Sequence, residues 1–283
     1  MDCIFVSDLH GKKHLYKKLF NEIQRVEPEI VLIGGDLFPH GYFIDQSEEE
    51  NFLTDFLIPE FSKVKVNMKE KYPWVLLILG NDDLRSNEAE VDEKGKSTEL
   101  WYYLHNRKIE IEDHVFYGYS FIPPTPFGLK DWEKYDVSRF VDPGCTHPYG
   151  GMRTVKPDYD PEYSNIKEDL ESLTVEEDVS KAIFLFHSPP YNTPLDRAGL
   201  DGEMIDCVPL DVHVGSIAIQ RFIEEKQPLL TLHGHIHEAY SITGEWRTKI
   251  GNTHAFNASY DKDKLGVVLF EPKNLDKAEH YLI

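Results

Sequence analysis

The stretch CIFVSDLHG, residues 3–11, sets a short apolar run directly against Asp8, His10 and a glycine. Four consecutive apolar residues read as a strand covered on both faces, and the glycine lets the chain turn sharply after it. The following segment places Leu15, Leu19, Ile23 and Val26 on one stripe, the spacing of an amphipathic helix. Outward from this unit the pattern recurs. IVLIGGD, residues 30–36, is again strand then turn, with a helix predicted from about Glu48 to Met68. WVLLILGNDD, residues 74–83, makes a third strand, with a helix predicted from about Thr98 to Arg107. Strands alternating with helices indicate an α/β fold.

Further along, IEIEDHVFYGYSF, residues 109–121, suggests antiparallel strands instead. Residues 123–165 are rich in Pro, Gly, Tyr and Asp without clear periodicity, and read as a loop-rich insertion near the active site. Its aromatic residues, including Phe127, Trp132, Tyr135 and Tyr149, are expected to form a small core that keeps the loop folded. Regular structure returns with AIFLFHSPP (182–190), a helix near Gly215–Lys226, PLLTLHGHIH (228–237), and strands near Thr253–Asn257 and Gly266–Phe270. With no internal repeat and no clean linker, residues 1–283 read as a single domain carrying the 123–165 insertion.

Composition narrows the function. A formal net charge of −20 opposes broad attraction to duplex nucleic acid or an anionic membrane, because such binding neutralises phosphates with Lys and Arg. No segment approaches the roughly 20 apolar residues that span a bilayer. Cys3, Cys145 and Cys207 are far apart and form no CxxC pair, as expected of reduced thiols in a soluble cytoplasmic protein. Nothing in the sequence sets an oligomeric state.

Five segments place Asp, His or Asn just after an apolar strand: Asp8 and His10 in SDLHG, Asp36 in GGDLF, Asn81 in GNDD, His187 in FHSPP, and His235 and His237 in HGHIH. The carboxyl ends of strands are where α/β proteins gather ligand sites, so these residues can converge although they span most of the chain. Each motif alone is commonplace; the ordered set is not. The order DxH, GD, GN, H, GHxH resembles the calcineurin-like metallophosphoesterases. That resemblance implies a central two-sheet β-sandwich flanked by α-helices and two divalent metal ions. One ion would be held by Asp8, His10, Asp36 and His237, the other by Asp36, Asn81, His187 and His235, with Asp36 bridging. GNTHAFNAS, around Asn257, looks like a divergent form of the family's closing turn. Mixed imidazole and carboxylate ligands suit Mn, Fe or Zn, with Ni and Mg also compatible. Such a pair activates water for attack on phosphorus, so no side-chain nucleophile is needed.

The sequence departs from the family at Asp82, where a histidine that assists the leaving group is usual. A carboxylate beside two dications is a poor general acid at neutral pH, and His147 or His213 would be the substitutes. Asp83 is expected to orient its neighbours. Arg85, Arg153 and Arg197 are candidate phosphate partners, Tyr191 and Asn192 candidate cleft residues, and His233 and Glu238 candidate supports for the metal ligands. The implied activity is hydrolysis of a phosphodiester or phosphomonoester, on a small phosphorylated metabolite or a short nucleotide. The competing reading is a catalytically weak phosphoesterase-like scaffold acting through protein contacts, for which Asp82 is the only support.

Overall fold

The computed structural model describes residues 1–39 and 51–283. Two mixed six-stranded sheets stack face to face. The first runs β14 (Glu279–Leu282), β13 (Gly266–Phe270), β1 (Cys3–Val6), β2 (Ile30–Ile33), β3 (Trp74–Leu77) and β4 (Tyr102–Tyr103). The second runs β11 (Arg247–Ile250), β12 (Thr253–Asn257), β10 (Leu230–His233), β7 (Ala182–Phe186), β6 (His114–Tyr119) and β5 (Arg107–Ile111). Strands β1 to β4 are parallel, as are β6, β7, β10 and β12, while β13 pairs antiparallel with β1 and β5 with β6. A separate two-stranded ribbon joins β8 (Met204–Ile205) to β9 (Val208–Pro209).

The apolar runs show no polar alternation because each strand is covered twice. Cys3, Phe5, Ile30, Leu32, Leu76 and Ile78 meet Phe116, Ile183, Leu185 and Leu232 in the layer between the sheets. Ile4, Val6, Val31 and Ile33 belong instead to the cluster that contains Leu15, Leu19 and Ile23 of α1 (Lys13–Val26). On the far side, Phe184 and Phe186 of β7 pack edge-on against Phe222 of α5 (Ile217–Lys226). The molecule is therefore a two-sheet α/β sandwich with helices outside, and the α1 stripe is the face that the sequence pattern requires.

Two helix expectations need correction or restriction. The expected start at Glu48 lies outside the described residues; a π-helical turn at Phe52–Leu57 leads into α2 (Ile58–Met68). The helix expected over Thr98 to Arg107 does not exist. Helix α3 is Glu88–Thr98, and the apolar residues after it form β4 and the lead into β5. Only Val91 and Gly95 of α3 are buried, which hid the helix from a periodicity argument. The missing signal is supplied from outside: the Trp101 indole donates to the Val91 carbonyl at 3.0 Å and fills the space beside Gly95.

Among residues 123–165, the regular structure consists of one 3-10 turn at Pro148–Gly150 and isolated bridges. Trp132 and Tyr135 are buried, but Phe127 and Tyr149 are exposed, so only part of the expected aromatic core forms. Polar contacts hold the rest. Buried Glu133 pairs with Lys130 at 2.6 Å and also binds Thr125, while Asp131 binds the amides of Arg85 and Thr154. Asp136 accepts from the Ser216 hydroxyl and from the amides of Ile217 and Ala218, fixing the start of α5.

Beside this segment, His105 is buried among the rings of Tyr119, Phe121 and Trp132, and its Nδ1 accepts from the Ser120 amide. Burial, with the nearby cations Arg85 and Lys134, pushes its pKa well below the ordinary value. The unfolded chain takes up a proton there below about pH 6.5 that the folded chain refuses, so this contribution to stability is lost as pH falls from that value. His105→Asn keeps an acceptor for the Ser120 amide and removes the titration. In urea unfolding between pH 7 and 5, its acid loss of stability should be shallower than wild type by up to about 1.4 kcal/mol per pH unit.

Candidate metal centre

The candidate residues all follow carboxyl ends of parallel strands. Asp8 and His10 leave β1, Asp36 leaves β2, Asn81 leaves β3, His187 leaves β7, and His235 and His237 leave β10. Both sheets thus deliver side chains to one place. Ligand atoms of Asp8, His10, Asp36 and His237 lie within 4.8 Å of one another. His10 Nε2 is 3.0 Å from His237 Nε2, and His237 Nε2 is 3.2 Å from Asp8 Oδ1. The second set adjoins it: His187 Nε2 is 3.0 Å from Asn81 Oδ1 and 3.3 Å from Asp36 Oδ2. The His235 ring completes that side, its centroid 5.2 Å from that of His187.

The backbone is bent to make this possible. Asp8, His10, Asp36 and His235 have φ of 59°, 45°, 51° and 72°, a left-handed conformation that costs side-chain-bearing residues roughly 1 kcal/mol or more each. Gly80 is required because a Cβ there would overlap Asp36 and His187. Strain of this kind persists only where the surroundings enforce it, and here it aims side chains at one point.

Electrostatics favour a cation. Burial alone would raise the carboxyls, but a hydrogen bond to His237 holds Asp8 well below its usual range, and the charge of His187 holds Asp36 at about 2. In return, against burial, Asp36 raises His187 to about 10 and Asp8 raises His237 to about 9. Burial lowers His235 to about 3. Two anionic carboxylates are thus met by imidazoles whose protonation they favour, and a metal ion binding at neutral pH would take the place of those protons. The mixed O and N donors fit a transition metal or zinc.

Supporting contacts are specific. His187 Nδ1 bonds the Gly34 carbonyl at 2.7 Å, which turns Nε2 into the site. The Ser259 hydroxyl donates to Asp8, and the Ser259 amide to Asn257 Oδ1. Ser259 and Asn257 both stand in the GNTHAFNAS stretch, where Ser259 carries no signal of its role beyond being a small hydroxyl residue just past the end of β12. His233 does not touch the ligands, being bonded to the Ser188 carbonyl and Thr231 hydroxyl, and Glu238 accepts from the Gly199 amide.

Asp83 is fully buried and accepts from the amides of Leu37, Phe38 and Gly80 at 2.8–3.0 Å. Burial and Asp36 raise its carboxyl to about 7, while those amides pull the other way. It clamps the turn after Asp36 to the turn before Asn81. Asp82 stands at the site: its amide donates to Asp36 Oδ1 at 2.8 Å, its carboxylate accepts from Asn81 Nδ2 at 2.9 Å, and Oδ2 is 3.5 Å from His10 Nδ1.

A cleft of about 860 Å³ opens over these residues, lined by Asp36, Asn81, Asp82, His235 and His237 and walled by parts of 123–145 and 198–217. Tyr191 and His213 line it, with Tyr191 donating to Asp211 and His213 Nδ1 2.8 Å from buried Asp196 Oδ1. The arginines do not. Arg85 is held by Glu88 and Asp158 beneath Phe121, Trp132 and Tyr159. Arg197 binds the Ala198 carbonyl and Asp201, and Arg153 binds Tyr159 and the Pro148 carbonyl. His147 is bonded to Tyr135 and stacked on Tyr149, away from the cleft lining.

A sequence model of the family described as calcineurin-like phosphoesterase matches residues 1–239. An uncharacterized protein of Methanocaldococcus jannaschii, MJ1162, is 25% identical over 284 residues, covering 95% of each chain. The crystal structure of TT1561 of Thermus thermophilus has a TM-score of 0.58 at 13% identity, covering 99% of this chain and 98% of that one. A dimetal phosphatase from Danio rerio has a TM-score of 0.52 at 10% identity, covering 100% and 98%. Among the described residues no helix is long and apolar enough to cross a membrane.

Asp83→Ala would leave buried amides of Leu37, Phe38 and Gly80 without their acceptor. The expected loss is about 3 kcal/mol of stability and at least about ten-fold in metal affinity. Denaturant unfolding and competition with a chromogenic chelator measure the two.

Proposed function

The chain belongs to the calcineurin-like phosphoesterase family, and from that membership we propose that it is a dinuclear metal-dependent hydrolase of phosphodiesters or phosphomonoesters. The observation that carries this reading is the convergence of Asp8, His10, Asp36 and His237, with Asn81, His187 and His235 beside them. The scaffold alternative expects eroded ligands, whereas all seven positions keep ligating side chains.

In the proposed assignment Asp8, His10, Asp36 and His237 hold one divalent ion and Asp36, Asn81, His187 and His235 the other. Mn, Fe or Zn is preferred, and Ni or Mg is compatible. Bound there, the ions would polarise the phosphoryl oxygens and supply an activated water as nucleophile. The chain's own residues fix the donors: Gly34 sets the His187 ring, Asp82 orients the Asn81 amide, and Ser259 steadies Asp8.

The leaving oxygen needs a proton. Asp82 faces the cleft without the imidazole usual at that position. His213 lines the same cleft with its Nδ1 2.8 Å from buried Asp196 Oδ1, and in this proposal its ring is the group that supplies the proton.

The deciding experiment strips the protein with a chelator, restores Mn, Fe, Zn, Ni or Mg separately, and compares p-nitrophenyl phosphate with bis-p-nitrophenyl phosphate. Activity should return with about two metals per chain, as two-metal chemistry requires, and Asp36→Asn should abolish it because both ions lose a ligand. A chain that binds no metal would overturn the proposal. Asp82→His should preserve metal content and raise turnover of alkyl esters. His213→Gln should lower alkyl ester turnover about 100-fold, and by more than it lowers nitrophenyl ester turnover.

A further inference from the structure

The walls of the cleft differ from its floor. Val137, Phe140 and Val141 come from one segment, and Leu200, Ile205 and Leu210 from another. The two segments meet, since a methyl group on Gly144 would overlap Ile205 Cδ1. At the mouth, Phe127 and Phe140 are 60% and 71% exposed, and both also line the cleft. Six carboxylate residues occur among the described lining residues, with no Lys or Arg. Residues 40–50 contain no Lys or Arg either.

A substrate with several phosphates needs cations along its length, and this lining offers none beyond the metal positions. An apolar substituent gains by leaving water against these walls, in a cleft within the usual size range of small-molecule sites, about 300–1,000 Å³. Resting on the metallophosphoesterase reading above, we infer that the substrate is an amphiphile: one phosphoester group at the metal ligands and a long aliphatic chain in the apolar cleft. The lining carboxylates, Asp36 and Asp82 at the floor, Asp136, Asp142 and Asp211 in the wall segments and Glu238, disfavour further negative charge on the head, so the chain is joined to a single phosphate.

Methyl, butyl and octyl p-nitrophenyl phosphodiesters share one leaving group and one reacting centre, so only the tail differs. Below micelle-forming concentrations, the metal-loaded protein should cleave the octyl ester with kcat/KM at least about ten-fold above the methyl ester. The octyl ester should also exceed thymidine 5′-(p-nitrophenyl phosphate), which tests a stacked base against an aliphatic chain. Independently of turnover, calorimetry on the metal-loaded protein should show octylphosphonate binding at least about ten-fold tighter than methylphosphonate, with a more negative heat capacity change. Leu210→Asp and Val141→Asp, on opposite walls, should each drive both octyl-to-methyl ratios toward one; either variant suffices if the other fails to fold.

Cleavage and binding indifferent to chain length, or a thymidine ester preferred over the octyl ester, would overturn the amphiphile while leaving the hydrolase intact. Chain-dependent phosphonate binding without cleavage of any ester would sustain the apolar cleft and overturn the hydrolase. Loss of both would overturn the two together.

Discussion

Two carboxylates, Asp8 and Asp36, are buried where the two sheets end, and the rest of the site answers the cost of placing them there. An isolated ionised carboxyl in such surroundings loses several kcal/mol of hydration. Here each is met from several directions. Asp8 receives the His235 amide, the Ser259 hydroxyl and the His237 ring; Asp36 receives the Asp82 amide and faces His10 and His187. These partners come from both sheets, so charge compensation at the floor of the cleft also ties the sandwich halves together. A divalent ion held there would satisfy the same demand more fully than protonated imidazoles do, and its binding would then be linked to the integrity of the strand ends.

The convergence of these Asp, His and Asn side chains was legible in the sequence because its signal is local. A short apolar strand followed by Asp, His or Asn needs no knowledge of distant residues, and the parallel topology that makes these ends converge follows from the βα repetition at the start of the chain. What could not be read depends on distant partners. Arg85 sits three residues from Asp82, yet its guanidinium is claimed by Glu88 and by Asp158, far along the chain. Arg197 is likewise occupied by Asp201. Helix α3 was invisible because its packing depends on a tryptophan beyond its own end.

Ser259 and Asp83 illustrate a further limit. The sequence marks Asp83 as a residue that orients its neighbours but not which ones, and a serine in a turn carries no pattern of its own. Their partners appear only in the fold, where the amides of Leu37, Phe38 and Gly80 surround Asp83 and the Ser259 hydroxyl meets Asp8. The segment 123–165 presents the same difficulty on a larger scale. Its order rests on buried polar links such as Lys130 with Glu133 and Asp136 with the start of α5, not on a periodic apolar face. Hydrophobic patterning cannot find structure of this kind, although it can find the turns.

The left-handed backbone at Asp8, His10, Asp36 and His235 has a consequence for how this protein would change under selection. Glycine adopts that conformation without penalty, so at these positions local backbone preference and ligand chemistry pull in opposite directions. In a population selected only for heat resistance in metal-free medium, Asp8 and Asp36 would be kept, because glycine there would leave the His235 and Asp82 amides and the facing imidazoles without their anion, and the pressure toward glycine would fall on His10 and His235. In the proposed assignment, supplying metal would reverse the pressure, because a bound ion would reward the side chain that the backbone disfavours. The composition of the growth medium, rather than the fold alone, would decide whether a thermostable descendant keeps these two imidazoles.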